Sequence, residues 1–158
     1  MSCWTYFEGV VWTETPIDED YFGKVVGVKD FPEFNRTYDE KVLDEIADYN
    51  LKVWEEYDKH PEDYLPCGSE RSLKYVWQNM KETYTFLGDR NIAYSTKITG
   101  SLRNYTKSEE LCDWFKSKCK GLKVIQCYVN ADSDLNGKYS RGYRSIGLDE
   151  KYVFKYML

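Results

Sequence analysis

The clearest β pattern lies near the start of the chain, at residues 4–13, which are rich in aromatic and β-branched side chains. Trp4, Tyr6, Glu8, Val10 and Trp12 fall on one face of this segment, and neither face is polar throughout. The segment is therefore predicted to be a central strand. Further strands are predicted at 72–79, 92–102 and 122–129, with 152–158 as a candidate edge strand.

The strand at 72–79 has an alternative, because Leu73, Val76, Trp77 and Met80 also fit one side of a helix. Nothing in the pattern decides between the two. The turn signals around this segment, at 65–70 and 88–91, are compatible with either interpretation.

Two segments show helical spacing of apolar residues, at 37–59 and at about 107–119. Each begins with a Thr-x-x-Glu capping box, formed by Thr37 with Glu40 and by Thr106 with Glu109. Pro61 ends the first helix. The lysines near the end of the second helix complement the negative end of its dipole.

The order of elements is strand, helix, strand, strand, helix, strand, which is the ferredoxin-like order. We therefore expect an α+β fold with a four-stranded antiparallel sheet and two helices on one face, built as a single domain over 1–158. Residues 14–36 and 130–150 are interpreted as loops. The uncovered sheet face predicts a two-fold homodimer, with the alternative that 14–36 and 138–158 fold back over it.

Composition narrows the class of protein. Apolar residues make up 42% and charged residues 31%, which excludes a disordered or fibrous chain. No apolar run reaches the roughly 18 residues of a membrane-spanning helix, and no leader pattern opens the chain, so we expect a cytoplasmic protein. A single histidine removes most histidine-based catalysis, and five cysteines without a Cys-x-x-Cys pair indicate reduced thiols, of which Cys112 and Cys119 are expected to pack in the core.

Charge is distributed unevenly along the chain. Residues 1–63 carry 17 acids and 6 bases, whereas 101–158 carry 7 acids and 11 bases. An acidic surface disfavours nucleic acid and attracts a basic protein surface. We therefore expect a non-enzymatic protein that binds a basic, nucleic-acid-binding partner, unless the acidic face serves only for solubility. The predicted partner-binding residues, all on the first helix, are Asp44, Glu45, Asp48, Glu55 and Glu56.

A second possibility is a protein that sequesters a nucleotide-derived immune signal. Aromatic residues make up 17% of the chain, and arginines interleaved with tyrosines can grip phosphates and stack on bases. The predicted ligand-binding residues are Arg103, Tyr105, Tyr139, Arg141 and Arg144. No cofactor or metal is expected: residues 132–137 match the first half of a calcium loop, but Tyr143 stands where the bidentate Glu is required.

Three short motifs resemble a family of small proteins from phages and mobile elements of Gram-positive bacteria. They are Cys3-Trp4-Thr5-Tyr6 with Gly9, then Leu65-Pro66 with Gly68-Ser69-Glu70, and Gly100-Ser101-Leu102-Arg103. The resemblance covers most of 3–130 and implies a compact α+β fold in a mobile-element context. Together with the acidic excess, that context implies that the basic partner is a host protein, such as a defence enzyme, which the chain inhibits. The resemblance itself implies no activity and no catalytic residue.

Overall fold

A computed structural model describes residues 2–32, 39–86, 88–135 and 138–147 of the 158-residue chain. The candidate strand at 152–158 and the predicted cap Thr37 lie outside these ranges. A single 3-10 turn, Pro61–Asp63, follows the first helix. The elements are β1 (Trp4–Thr13), α1 (Glu40–Lys59), β2 (Lys74–Phe86), β3 (Asp89–Arg103), α2 (Ser108–Cys119), β4 (Val124–Leu135) and β5 (Lys138–Gly147).

All five strands form one antiparallel sheet in the order β2-β3-β1-β4-β5. The central position predicted for β1 is confirmed, because it pairs with β3 along one edge and with β4 along the other. β2 is irregular: its register with β3 shifts around Trp77, and Asn79 adopts a positive φ of 52°. Because Lys74–Phe86 nevertheless pairs with β3, the strand interpretation of the 72–79 segment is correct, and the strand is longer than predicted.

The hydrophobic core lies between the sheet and α2. Phe7 and Val11 of β1 contact this layer, and Leu111 and Phe115 of α2 are fully buried. Phe115 stacks on Phe22, with ring centroids 5.4 Å apart and an interplanar angle of 11°. The loop that follows β1 is thus part of the core.

The loop after β1 occupies the place in the core that the prediction gave to a second helix. Ile17 and Phe22, together with Leu65 and Leu73, fill the part of the core that a second helix was expected to cover. α1 consequently buries none of its residues. The α+β class and the strand-helix-strand-strand-helix-strand order are confirmed, but the ferredoxin-like expectation of four strands with two helices on one face is not.

The segment 130–150 was also wrongly interpreted as a loop. β4 continues to Leu135 and pairs with β5, from Leu135 with Lys138 to Gln126 with Gly147. Residues 132–135, predicted to be either a turn or half of a calcium loop, are strand. Residues 136–137 lie outside the described ranges.

Helix caps differ from the predicted capping boxes. The N-cap of α1 is Asp39, whose Oδ1 accepts a hydrogen bond from the Lys41 amide at 3.1 Å. The N-cap of α2 is Lys107, whose side chain makes no capping bond, so the predicted box of Thr106 with Glu109 does not form. α1 ends at Lys59, directly before His60 and Pro61, as predicted.

The sheet face turned away from α2, here called the open face, carries Trp4, Tyr6, Glu8, Val10 and Trp12 of β1. Tyr6 at 56% and Met80 at 47% are its exposed large apolar side chains among those the structure describes. The fold-back alternative fails for the residues that can be followed: Ile17 and Phe22 lie on the α2 side, and 138–147 extends the sheet. Neither α1 nor α2 is long and apolar enough to span a membrane.

Candidate partner-binding surface

α1 is a 20-residue helix that the rest of the protein holds by only a few contacts. Asn50 exchanges two hydrogen bonds of 2.8 Å with the backbone of Lys29, and the Lys29 ammonium lies 4.1 Å from the centroid of the Tyr49 ring. At the far end, Tyr57 packs edge-on against Trp54 and Tyr64. These contacts fasten α1 to residues 28–32 and 60–64, while its other side remains in solvent.

The five predicted partner-binding carboxylates are all on this solvent side. Each side chain is exposed, and none makes an ion pair with another described residue. At about 3.6 residues per turn, Asp44, Asp48 and Glu55 form one row, and Glu45 and Glu56 form a second. The structure therefore brings the predicted residues together on one helix surface.

Three lysines lie between these two rows. Lys41, Lys52 and Lys59 fall there by helical spacing, and all are exposed. α1 as a whole carries seven acids and three lysines. The surface is acidic but interrupted by positive charge, which the sequence count of residues 1–63 does not reveal.

The side of α1 next to residues 28–32 is apolar and borders a groove of about 820 Å³. Leu51 at 58% and Phe31 at 57% are the most exposed large apolar side chains among the described residues. Both line this groove. Its further lining residues include Val28, Pro32, Ala47, Trp54, Arg71 and Arg103.

Two ion pairs lie in the lining of the groove. The Arg71 Nη1 lies 3.0 Å from Asp30 Oδ2, and the Arg103 Nη1 lies 2.6 Å from Glu70 Oε1. Each arginine is thus matched by a carboxylate. Lys29 also lines the groove, so the lining carries one net positive charge.

Arg103 also joins the three motifs that carry the family resemblance. Its Nε and Nη2 donate to Ser2 Oγ at 3.1 and 3.0 Å, next to the first motif. Ser69 of the second motif donates its amide to the Arg103 carbonyl at 2.9 Å. A Cβ on Gly68 would lie 2.3 Å from that carbonyl oxygen, so this turn requires glycine. The motifs therefore meet at one corner of the sheet, where they hold the structure together.

The alternative ligand residues are only partly brought together. The register aligns Tyr139, Asp134, Trp4 and Arg103 in one row across the sheet, and it places Arg141 in the next row, which contains Tyr6. These two rows belong to the open face.

The other two members of that set lie elsewhere. Arg144 is opposite Val129, in a row of the α2 side of the sheet. Tyr105 follows β3 and packs against the core; burial raises the pKa of its phenol. Neither residue can be expected to act with Arg103 on one ligand.

A shallow hollow of about 460 Å³ surrounds Tyr6 on the open face. It mixes an aromatic ring with hydroxyl, amide and carboxylate groups, and Glu8 at its edge lies 3.7 Å from Lys97 Nζ. The hollow also includes Thr99, Ser101, Asn130 and Asp132. The exposed ring of Tyr6 is therefore surrounded by polar groups.

Three of the five cysteines pack in the core, whereas Cys3 and Cys67 are half-buried. Cys112, Cys119 and Cys127 are buried, and the Sγ atoms of Cys119 and Cys127 are 3.8 Å apart. This pair raises the pKa of Cys119, because each sulfur and the surrounding burial favour the protonated thiol. Burial raises the pKa of Cys67 to about 12. Both are therefore thiols at neutral pH rather than nucleophilic thiolates.

Among the described residues, the one group with metal-ligand spacing is His60, Glu62 and Asp63, whose ligand atoms lie within 4.8 Å of one another. All three are exposed, and the His60 Nδ1 is 3.8 Å from Glu62 Oε1. Such a turn offers few ligands to a cation and leaves most of its coordination to water.

No protein family, curated protein or solved structure matches this chain. The resemblance drawn from the three motifs therefore stays a prediction. What supports a function is the surface itself: an exposed acidic helix beside an apolar groove.

Proposed function

We propose that this chain is a non-enzymatic binding protein that inhibits a basic, nucleic-acid-binding host protein through α1. The observation that carries the proposal is that α1 buries none of its 20 residues while it presents five carboxylates that pair with no described cation. Most helical stability in proteins comes from packing an apolar side. A helix that lacks this packing is well suited to a partner.

The number of charges along α1 determines how closely this helix can imitate DNA. A 20-residue helix is roughly 30 Å long. Duplex DNA of that length carries on the order of 18 charges, whereas α1 carries seven carboxylates and three lysines. α1 therefore resembles a local group of phosphates rather than a whole duplex, and its affinity must have other sources as well.

The setting proposed for this inhibitor is the cytoplasm of a bacterial host infected by a phage or carrying a mobile element. It rests on the motif resemblance and on the acidic excess in residues 1–63. An acidic surface would compete with DNA for the basic cleft of an enzyme that binds it. The proposal includes no catalytic step.

Inhibition of DNA cleavage tests this proposal. A panel of purified DNA-cleaving defence enzymes is assayed with the wild-type chain and with a variant carrying Asp44→Asn, Glu45→Gln, Asp48→Asn, Glu55→Gln and Glu56→Gln. We expect the wild type to inhibit at least one enzyme, high salt to relieve the inhibition, and the variant to be inactive. Inhibition that survives both high salt and the five substitutions would contradict the proposal, as would a panel without any inhibited enzyme.

The second candidate function is sequestration of a nucleotide-derived signal at the open face. The observation in its favour is the alignment of Arg103, Tyr139 and Arg141 in the two rows next to the exposed Tyr6. Cyclic dinucleotides and ADP-ribose derivatives are the ligands to test. A tight ligand raises the melting temperature by several degrees, and Tyr6→Ala removes the increase. If none of these ligands shifts the melting temperature, the second candidate function is contradicted and the acidic-helix proposal is the one that remains.

A further inference from the structure

The groove beside α1 has the dimensions and the exposure of a binding site. Its volume of about 820 Å³ falls in the range of roughly 300–1,000 Å³ typical of ligand pockets. Leu51 and Phe31 both line it, and each is more than half exposed. Large apolar side chains exposed together in an open groove are typical of interaction sites.

Carboxylates surround Leu51 on the helix surface. Asp48 precedes it by three residues and Glu55 follows it by four, so both are its neighbours on the same face. Asp44 and Asp58 lie two turns away in either direction, and all four acids are exposed. The apolar wall of the groove therefore has an acidic rim.

The charges beside the groove favour a cationic occupant over an anionic one. Of the three cations that line it, Arg71 and Arg103 are already paired, with Asp30 and Glu70 respectively, and the Lys29 ammonium lies over the Tyr49 ring. An anion bound by the arginines would have to displace these carboxylates and then approach the acidic rim. A cation faces the one net positive charge of the lining but also the four rim carboxylates, which pair with no described cation.

We propose that this groove receives a basic amphipathic segment of the partner, which packs one large apolar side chain against Leu51 and Phe31 while its lysines or arginines face the acidic rim. The inference rests on the proposed function and adds the chemistry of the partner. An apolar anchor inside a polar rim is the arrangement in which a few residues carry most of the binding energy. It supplies the affinity that the interrupted acidic surface of α1 lacks.

Two synthetic peptides of equal charge test the inference. One peptide carries lysines together with leucines at helical spacing, and the other carries serine in place of each leucine. Calorimetric titration of the full chain should give about tenfold tighter binding of the lysine–leucine peptide. Leu51→Ala and Phe31→Ala should each remove most of this preference and leave binding of the lysine–serine peptide unchanged.

Val42→Ala is the matched control. Val42 is also an exposed apolar residue of α1, at 43%, but it is not part of the groove lining. Alanine favours a helix, so circular dichroism should report an intact α1 in Leu51→Ala and Val42→Ala. If the preference survives in both groove variants, or if Val42→Ala removes it equally, the inference is wrong.

The two proposals fail in different ways. If the variant with five neutralised carboxylates binds the lysine–serine peptide as tightly as the wild type, the acidic surface is not a binding surface and the proposed function is contradicted. If that variant loses binding while the groove variants keep the leucine preference, the acidic surface acts without the groove and only the further inference is contradicted.

Discussion

Gly9 lies where β1 passes beneath α2. A Cβ at this position would lie 2.7 Å from Cε2 of Phe115, closer than carbon atoms approach in proteins. Phe115 is fully buried and stacked on Phe22, so its ring has no free space to move into. The close packing of β1 against α2 therefore depends on the absence of a side chain at Gly9.

Gly9→Ala should lower the free energy of unfolding by about 1–3 kcal/mol, the usual cost of overpacking a core. Gly27→Ala is the matched control, because a Cβ at Gly27 meets no atom within 4 Å. It should change the free energy by less than about 0.5 kcal/mol. Urea denaturation measures both, and equal midpoints for the two variants would show that the Gly9 contact is not tight.

Cys67 gives a second prediction for a single residue, which concerns how the stability of the protein depends on pH. Burial raises the pKa of its thiol from 9.0 to about 12. Between these values the unfolded chain releases a proton that the folded chain keeps, so alkali favours unfolding. The stability due to the neutral thiol is complete below about pH 9 and is lost as the pH rises towards 12.

Cys67→Ala should therefore lose less stability than the wild type between pH 8 and pH 10.5. Urea midpoints at the two pH values measure the difference, and the other titrating groups contribute equally to both proteins. An identical loss in both would mean that the Cys67 thiol is as accessible in the folded chain as in the unfolded one.

The two helices show how much of an element a sequence pattern determines. Apolar spacing and Pro61 predicted the end of α1 at Lys59 and most of its length. The same pattern could not show what packs against the apolar side. Ile17 and Phe22 fill that part of the core from a loop whose sequence has no regular period.

β5 was missed although the sequence carried its signal. Tyr139, Arg141 and Tyr143 alternate with smaller or differently charged residues, and Asn136-Gly137 is a strong hairpin signal between two strands. The aspartates that precede this pair favoured a turn or a calcium loop instead. In the structure the two strands pair from Leu135 with Lys138 onward.

The groove could not be predicted at all. Phe31, Leu51 and Arg71 belong to three different segments, and each looks unremarkable in its own sequence context. They meet because the Asn50 side chain bonds to the Lys29 backbone and Arg71 pairs with Asp30. Contacts of this kind depend on the tertiary fold, whereas the five carboxylates of α1 were predictable because they share one helix.

Because α1 buries no residue, it should unfold without the sheet. Ala47→Pro, in the middle of α1, should reduce helical ellipticity while the remaining structure still unfolds cooperatively. Cys112→Pro is the control in α2. Because α2 contributes five buried residues, this substitution should unfold the whole protein. Amide exchange would contradict this prediction if the amides of α1 were as well protected as those of β1.

At the scale of the whole molecule, the open face predicts a homodimer. Tyr6 and Met80 are exposed there, and no described segment covers them. Light scattering at micromolar concentration should give a mass near twice 18.8 kDa, and Tyr6→Asp should reduce it to that of one chain. Leu51→Ala should leave the dimer intact. A wild-type mass near 18.8 kDa would contradict a dimer, and a dimeric Tyr6→Asp variant would place its interface elsewhere.

The acidic excess of residues 1–63 affects the net charge of the whole molecule as well as that of α1. The effect of where the acids lie must therefore be separated from the effect of the total charge. Two variants with the same total charge achieve this. One neutralises the five carboxylates of α1, and the other neutralises five exposed acids of the loop after β1 and of α2, namely Glu14, Asp18, Glu19, Asp20 and Glu109.

The most direct measurement is the affinity of these two variants and the wild type for the lysine–serine peptide at physiological salt. Exposed ion pairs contribute about 0.2–1 kcal/mol each, so the loss of five should weaken binding by the α1 variant by roughly fivefold to several thousandfold. The control variant should stay within about threefold of the wild type, because its acids lie away from the binding surface. Equal losses in both variants would mean that net charge alone attracts the peptide, and α1 would then not be the surface that binds a basic partner.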